Sequence, residues 1–188
     1  MKMIDVTDDE KIIRQTAQML CDGFKDSGAN CWTTLESAIE EVHHSLGKGR
    51  ISRIAIDASE NILGWIGGIE EYDGKVWELH PLVVHPAYRK QGIGRALVED
   101  FERQVAFRGG ATIRVGTDDE DNRTSLGGVD LYTDVLGHLS SIKNLREHPF
   151  EFYQKLGYVI TGVVPDANGF GKPDILMAKR IDSCRAKT

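Results

Sequence analysis

The chain has 188 residues, of which 40% are hydrophobic, and this is enough for one sizeable core with little room for a second. Its formal net charge of −6 excludes the basic electrostatic footprint of a nucleic-acid-binding protein but is compatible with a cationic small molecule or protein partner. The chain shows no signal-peptide pattern and no apolar run that could span a bilayer, so we expect a soluble protein without a membrane contact. Its three cysteines (Cys21, Cys31 and Cys184) form no CxxC pair, so we expect a cytoplasmic protein without a disulfide scaffold or a metal site.

The first quarter of the chain contains two helical patterns. Residues 7–10 (TDDE) are typical of a helix start, because a capping hydroxyl precedes acids in the first turn. Apolar residues continue at helical spacing to a stop at Gly23. A second helix is predicted to open at Thr33 or Thr34, where Glu36 is placed for reciprocal capping, and to end at Gly47.

The hydrophobic period then changes to that of a sheet. Three β-rich runs follow, at 51–56, 62–69 and 77–84. The remaining predicted elements are a long helix at 92–107, a strand at 111–115, a short helix at 147–156, and strands at 158–164 and 174–181. Regular pattern fades between 117 and 146, and an irregular segment of this length is often functional. The sequence therefore predicts a single α/β domain over residues 1–188.

The turn after the third β-rich run has a phosphate-binding pattern. It reads Arg89-x-x-Gly92-x-Gly94 and opens a helix, whose first turn has unpaired N–H groups and the positive end of the macrodipole. An ordinary glycine-containing connection between strand and helix explains the same spacing equally well. A dinucleotide-binding fingerprint fits worse, because a third glycine is missing after Gly94 and the turn follows a run of hairpins.

The order of these elements resembles that of the GNAT acetyltransferases, which bind acetyl-CoA. More narrowly, five segments resemble one branch of the aminoglycoside 6'-N-acetyltransferases: WELHPLVV, RGGATI, GTDDEDN, SIKNLREHPFEFYQKLGY and VVPDANGFGKPDILMAKRI. The resemblance extends from about residue 62 to residue 181 and implies the GNAT fold, an α/β (α+β) architecture with a central mixed, mostly antiparallel sheet flanked by helices. It also implies a homodimer. The chain departs from its close relatives at Phe24-Lys25, where they have a Trp-Pro pair near the substrate.

The resemblance implies a site for acetyl-CoA as cosubstrate, without a metal. The backbone groups of Leu82 and Val84 are expected to pair with the pantetheine arm, and the Leu82 N–H to polarise the thioester carbonyl. The hydroxyl of Tyr153 is expected beside the CoA sulfur, where it can protonate the leaving thiolate. The expected contacts from the turn are Arg89, Lys90, Gln91, Gly92, Ile93, Gly94 and Arg95.

Two side chains in the third β-rich run are candidate bases, which are needed because a protonated amine cannot attack a thioester. Glu78 and His80 alternate along the strand and should therefore face the same side. Taken alone, Glu78 is compatible with a surface residue of an edge strand, and His80 is better explained as a structural histidine. The resemblance favours Glu78 as the group that orders a water or accepts the amine proton, with His80 as the neighbouring polariser or alternative base.

Acidic residues follow the strand at 111–115. Asp118 and Asp119 lie where the strand emerges, and a polycationic aminoglycoside needs carboxylates near the acyl donor, so we expect these two to bind the acceptor. Glu120 and Asp121 fit a solvated turn. Two alternatives stay open: a GNAT enzyme for polyamines or basic proteins, and a non-catalytic CoA-binding module, against which Glu78, Leu82 and Tyr153 count.

Overall fold

The computed structural model of the protein describes residues 1–25 and 32–181. These residues form two compact units, the first from Met1–Ile113 together with Ile181, and the second from Arg114–Arg180. Cys31 and Cys184 lie outside the described residues, and the Cys21 sulfur lies 3.4 Å from the carbonyl oxygen of Thr34. The expectation of one domain over the whole chain stays a prediction.

The first unit consists of four strands and three helices. They are β1 (Lys2–Asp5), α1 (Glu10–Phe24), α2 (Leu35–His44), β2 (Arg50–Ile56), β3 (Ile62–Glu71), β4 (Val76–Val84) and α3 (Ile93–Phe107). A short 3-10 turn at Pro86–Tyr88 connects β4 to α3. The strands are antiparallel neighbours in the order β1-β2-β3-β4. Six of these elements match the sequence prediction within a few residues; β1 was not predicted.

The helix starts differ slightly from the predicted ones. Asp9 caps α1, since its carboxylate accepts the N–H groups of Lys11 and Ile12 at 2.9 and 3.1 Å, so the helix begins after Asp9 and not at Thr7. Thr34 caps α2 as predicted, with its hydroxyl accepting the N–H of Ser37 at 3.2 Å. That helix ends at His44, three residues before the predicted stop at Gly47.

Helices α1 and α3 pack on opposite faces of the first unit's strands. Trp65 of β3 belongs to the core that α1 and α2 cover, and the ring is fully buried. The flanking glycine, Gly64, approaches Leu97 of α3, and Gly68 approaches Phe101 of the same helix. Because neighbouring residues of a strand point to opposite faces, the odd-numbered positions of β3 face α1 and the even-numbered positions face α3.

The second unit contains three strands and two short helices. They are β5 (Thr112–Asp118), α4 (Val135–Ser140), α5 (Phe150–Gln154), β6 (Val159–Val164) and β7 (Asp174–Arg180), with a 3-10 turn at Leu131–Thr133. The strands lie in the order β5-β7-β6, and β6 and β7 are antiparallel. The segment predicted to be irregular therefore contains α4, which at six residues is too short to show a helical period. The predicted class, helices flanking mostly antiparallel strands, is confirmed.

Gly68→Ala should destabilise the protein, because the new Cβ would lie 2.2 Å from Cε2 of the fully buried Phe101 ring. Overpacking of this kind costs about 1–3 kcal/mol, which urea unfolding followed by circular dichroism can measure. Gly162→Ala is the matched control in a strand, because its nearest neighbour would be Leu176 Cδ1 at 3.8 Å. An equal loss of stability in both variants would contradict the packing described for α3.

Candidate active site

Strand β4 changes its pairing register opposite Gly67. Leu79 pairs with Gly68 on one side of the change, and Leu82 pairs with Ile66 on the other, so Gly67 faces two residues of β4. This is a β-bulge. A Cβ on Gly67 would lie 2.4 Å from the carbonyl oxygen of His80, so the two strands can approach this closely only because residue 67 is a glycine.

The bulge sends the side chains before and after it to different faces. Glu78 pairs with Ile69, which lies four residues from Trp65 and therefore on the α1 face. Leu82 pairs with Ile66 and Val84 with Gly64, so both side chains point to the α3 face. His80 is exposed and its ring contacts Trp32, which packs against the core under α1. Glu78 and His80 thus share a face.

The backbone groups of Leu82 and Val84 point away from β3. The N–H of His85 donates to the carbonyl oxygen of Leu63 at 2.9 Å, so residue 85 is hydrogen-bonded to β3. In an antiparallel pair this relation alternates, and the N–H and C=O groups at 84 and 82 are directed to the other side of β4. The bond made by the Val84 carbonyl is consistent with this direction, because the carbonyl accepts from Nε of Arg89, which lies outside β3, at 3.3 Å. These are the two residues whose backbone is expected to pair with the donor.

The turn into α3 presents a helix amino end without a side-chain cap. Gly92 is the N-cap residue and has a left-handed backbone with φ of 84°. The first bond of the helix runs from the Ala96 N–H to the Gly92 carbonyl at 3.0 Å, so the N–H groups at 93–95 precede the ladder. A Cβ on Gly92 would meet no atom within 4 Å. The turn therefore has open space beside N–H groups that the helix itself cannot bond.

Arg89 ties the turn to α1. Its guanidinium Nη2 donates to the carbonyl oxygen of Gly23 at 2.6 Å, in the last turn of α1, while Nε donates to Val84. A cation at the carboxyl end of a helix is favoured by the macrodipole. These bonds give Arg89 a positioning role between α1 and β4, which the sequence did not predict. Its contact with the donor stays a prediction.

Other polar side chains of the turn are also engaged within the first unit. The Gln91 amide donates to the Ala87 carbonyl at 3.4 Å, and Arg95 forms a half-exposed ion pair with Glu99 at 3.8 Å. Lys90 has a left-handed backbone with φ of 61°. Of the basic residues, Arg89 shapes the turn, and the backbone N–H groups of the turn are the simplest anion ligands.

Tyr153 lies in the interior of the second unit. It belongs to α5, is 5% exposed, and packs edge-on against Tyr158 with the ring centres 5.5 Å apart. Burial raises the pKa of the Tyr153 hydroxyl above its usual value, because the charged form is desolvated. The hydroxyl is therefore protonated at neutral pH and a weaker acid than an exposed phenol, so it can serve an anion as a hydrogen-bond donor.

The two adjacent aspartates at the end of β5 have different environments. The Asp119 side chain has no exposed surface, and its carboxylate accepts the N–H of Arg123 at 2.6 Å and both the N–H and hydroxyl of Thr124 at 2.9 and 2.7 Å. Asp118 is exposed, and its Oδ1 accepts the side-chain amide of Asn168 at 2.5 Å. Asp119 therefore organises the loop, contrary to the role expected from the sequence, and Asp118 alone presents a carboxylate to solvent.

His148 is a buried histidine that uses both ring nitrogens in hydrogen bonds, and no sequence pattern singled it out. Its Nε2 bonds the backbone oxygen of Asp118 at 3.1 Å, while Nδ1 accepts the N–H of Phe150 at 3.3 Å. This pattern requires the neutral ring with the proton on Nε2. Burial lowers the pKa of His148, which outweighs the opposing effect of the bond to Asp118. The histidine holds the end of β5, and so the Asp118 carboxylate, in place.

Within residues 1–25 and 32–181, no group of three or more His, Cys, Asp or Glu side chains is arranged to hold a metal ion. None of the helices in that part of the chain has the length and apolar character to cross a membrane.

The chain is similar to known acetyltransferases. The profile of the acetyltransferase (GNAT) family matches residues 17–137. The solved structure of an aminoglycoside 6'-N-acetyltransferase complexed with coenzyme A is 43% identical, with a TM-score of 0.87 and coverage of 96% of this chain and 97% of that one. The enzyme of the same description from Enterococcus faecium is also 43% identical, with a TM-score of 0.86 and the same coverage. No curated protein sequence matched.

The buried neutral His148 should make stability depend on pH. A histidine whose pKa is lower in the folded than in the unfolded protein stabilises the fold above its unfolded pKa of about 6.5, and this contribution is lost as pH falls below that value. His148→Gln keeps a side-chain amide that can donate to Asp118 but does not titrate. Urea unfolding between pH 7 and pH 5, values chosen to bracket about 6.5, should show a steeper loss of stability in the wild type than in His148→Gln.

The control is His44→Gln on the exposed surface of α2, which should keep the pH dependence of the wild type. Identical pH dependence in the wild type and in His148→Gln would contradict the buried neutral state of the ring.

Proposed function

The chain belongs to the GNAT acetyltransferase family, and on that premise we propose that it moves an acetyl group from acetyl-CoA to the 6'-amine of an aminoglycoside. The observation that carries the proposal is the 43% identity to an aminoglycoside 6'-N-acetyltransferase over 96% of the chain. Within the first unit, the open glycine turn at the start of α3 and the two candidate bases on one face of β4 support it.

The protein backbone holds the donor. The pyrophosphate of acetyl-CoA lies against the N–H groups at 93–95, where the helix dipole favours an anion and Gly92 leaves room for it. The pantetheine arm runs along β4 and pairs with the outward-directed groups of Leu82 and Val84 like an added strand. The N–H of Leu82 donates to the thioester carbonyl oxygen and stabilises the charge that develops there during attack.

Side chains move the protons. Glu78 accepts a proton from the acceptor ammonium, directly or through a water, and the neutral nitrogen attacks the carbonyl carbon. The new N–C bond forms as the C–S bond breaks, and the thiolate leaves with the bonding electrons. The acylated nitrogen then loses its second proton, through water, to the thiolate, so that the products are the amide and CoA. Tyr153, which burial keeps protonated, donates a hydrogen bond to the departing thiolate. His80 stands on the same face as Glu78 and either polarises it or replaces it as the base.

A carboxylate attracts the acceptor. Asp118 is held by Asn168 and His148 and remains exposed, so it can bind one ammonium group of a polycation. The net charge of −6 adds long-range attraction that salt should weaken. Asp119 contributes by fixing the loop that follows. We also propose a cytoplasmic homodimer, since the scattered cysteines suit a reducing compartment and the family resemblance implies a dimer.

The acceptor is tested by measuring CoA release with a pair of compounds: an aminoglycoside with a 6'-amine, and its analogue with a hydroxyl at the same carbon. Turnover of the amine and not of the hydroxyl analogue is the expected result, with spermidine and a lysine peptide as further arms. Turnover confined to spermidine or the peptide would overturn the proposed acceptor in favour of another GNAT activity, and Phe24-Lys25 is the departure that would explain it. If none of these acceptors causes CoA release, the proposed transferase activity is overturned in favour of a CoA-binding module.

Glu78→Gln should lower turnover while leaving the affinity for CoA unchanged, because the carboxylate acts on the amine and not on the donor. General-base catalysis typically contributes about 10²–10⁴-fold to a rate, so a loss of that size is expected in steady-state kinetics. His80→Ala is measured beside it. If Glu78→Gln keeps wild-type turnover across pH and His80→Ala does not, the histidine is the base.

Gly92→Val should abolish tight CoA binding, because the branched side chain fills the open space beside the N–H groups at 93–95. Gly109→Val is a close control at the other end of α3: that glycine has φ of 78°, close to the 84° of Gly92, and it too has no neighbour within 4 Å of an added Cβ. Both variants should lose similar stability, since both strain a left-handed position. Titration calorimetry that finds equal CoA affinity in the two variants would refute the phosphate site.

A further inference from the structure

Three rings meet on the α1 face of the first unit, beside the candidate bases. Phe24 is the last residue of α1, and its ring lies edge-on to Trp32 with the centres 4.9 Å apart. The indole of Trp32 in turn lies 5.6 Å from the imidazole of His80, tilted by 45°. We name Phe24, Trp32 and His80 the aromatic wall.

The wall is anchored on one side and open on the other. Phe24 and Trp32 are partly buried and pack against the core that α1 and α2 cover. His80 is exposed, Glu78 stands two residues earlier on the same face, and Gly67 lies opposite without a side chain. The wall therefore borders the face of β4 that carries the two candidate bases.

The backbone of Trp32 has a left-handed conformation, with φ of 51°. Bulky residues rarely adopt this region. Among the rings of the wall, Trp32 is the one that touches both of the others.

We propose that Trp32 is a specificity-determining residue that selects ring-bearing polycations over linear polyamines. The inference rests on the proposed function and names the feature of the acceptor that this surface recognises. The flat indole face packs against the C–H face of an amino sugar, and the electron-rich ring attracts a neighbouring ammonium group. A linear polyamine also carries several positive charges but has no rigid face to stack on the indole, so it should bind the aromatic wall with lower affinity.

The kinetic test compares Trp32→Ala, Trp32→Leu and Trp32→Phe. Trp32→Ala and Trp32→Leu should raise the KM for a 6'-amine aminoglycoside about tenfold, the size expected when one cation–π and stacking contact is lost. Trp32→Phe should restore most of the affinity, since it keeps an aromatic face. The KM for acetyl-CoA should not change in any of them. Tyr72→Ala is the control, because that ring is 76% exposed on the turn between β3 and β4.

Fluorescence gives a readout independent of activity. Trp65 and Trp77 are 0% and 2% exposed, so an acceptor that touches a tryptophan directly can do so only at Trp32. Titration with the aminoglycoside should shift the tryptophan emission of the wild type and of Tyr72→Ala, and should not shift that of Trp32→Phe. Trp32→Leu, which refills the apolar space, keeps the test valid if Trp32→Ala fails to fold.

The outcomes separate the two proposals. If the wild type acetylates the aminoglycoside and Trp32→Leu leaves both its KM and the titration unchanged, the role of Trp32 is overturned and the proposed function stands. If the wild type acetylates only spermidine or a lysine peptide, the proposed acceptor is overturned and the inference falls with it.

Discussion

The bulge in β4 is the constraint on which the active-site geometry of the first unit depends. One extra residue opposite Gly67 reverses the alternation of the strand, so Glu78 and His80 face α1 while the side chains of Leu82 and Val84 face α3. Regular alternation would have placed all four side chains on one face. The bulge lets one strand supply polar groups to an open surface and apolar groups to a core within nine residues.

The consequence is a division of tasks between backbone and side chains. We propose that backbone groups of β4 and of the turn into α3 bind the phosphate-bearing donor. The basic side chain of Arg89 holds that turn to the end of α1. Side chains carry the proposed proton transfers. In the second unit, the side chains of Asp119 and His148 have structural roles. They form hydrogen bonds to the backbone around the end of β5, and the Asp118 carboxylate remains exposed.

The sequence predicted the long elements well and the local irregularities poorly. Helices such as α3 and strands such as β3 carry a hydrophobic period over many residues, which tertiary packing then reinforces. By contrast, β1 and α4 have four and six residues, too few for a period to emerge. The bulge is a register property, and register arises from pairing with β3, which no single strand encodes.

The residues of the candidate site were easier to predict from the sequence than their burial and their partners. The glycine turn at the start of α3 and the polar pair on β4 could be picked out from the residues, but the roles expected for them came from the family resemblance. Burial could not be read from a run of acids, so Asp118 and Asp119 looked equivalent although only the second is fully buried. His148 looked like any other histidine, since its role depends on partners such as Asp118, thirty residues away.

The most direct test of the central claim, that backbone groups of β4 and α3 hold the donor, is to map backbone amide resonances by NMR during titration with CoA. We expect the amides of Leu82, Val84 and residues 93–95 to shift most, and the amides in β1 and β2 to stay unchanged. Saturating CoA binding that leaves the amides at 82, 84 and 93–95 unshifted would contradict it.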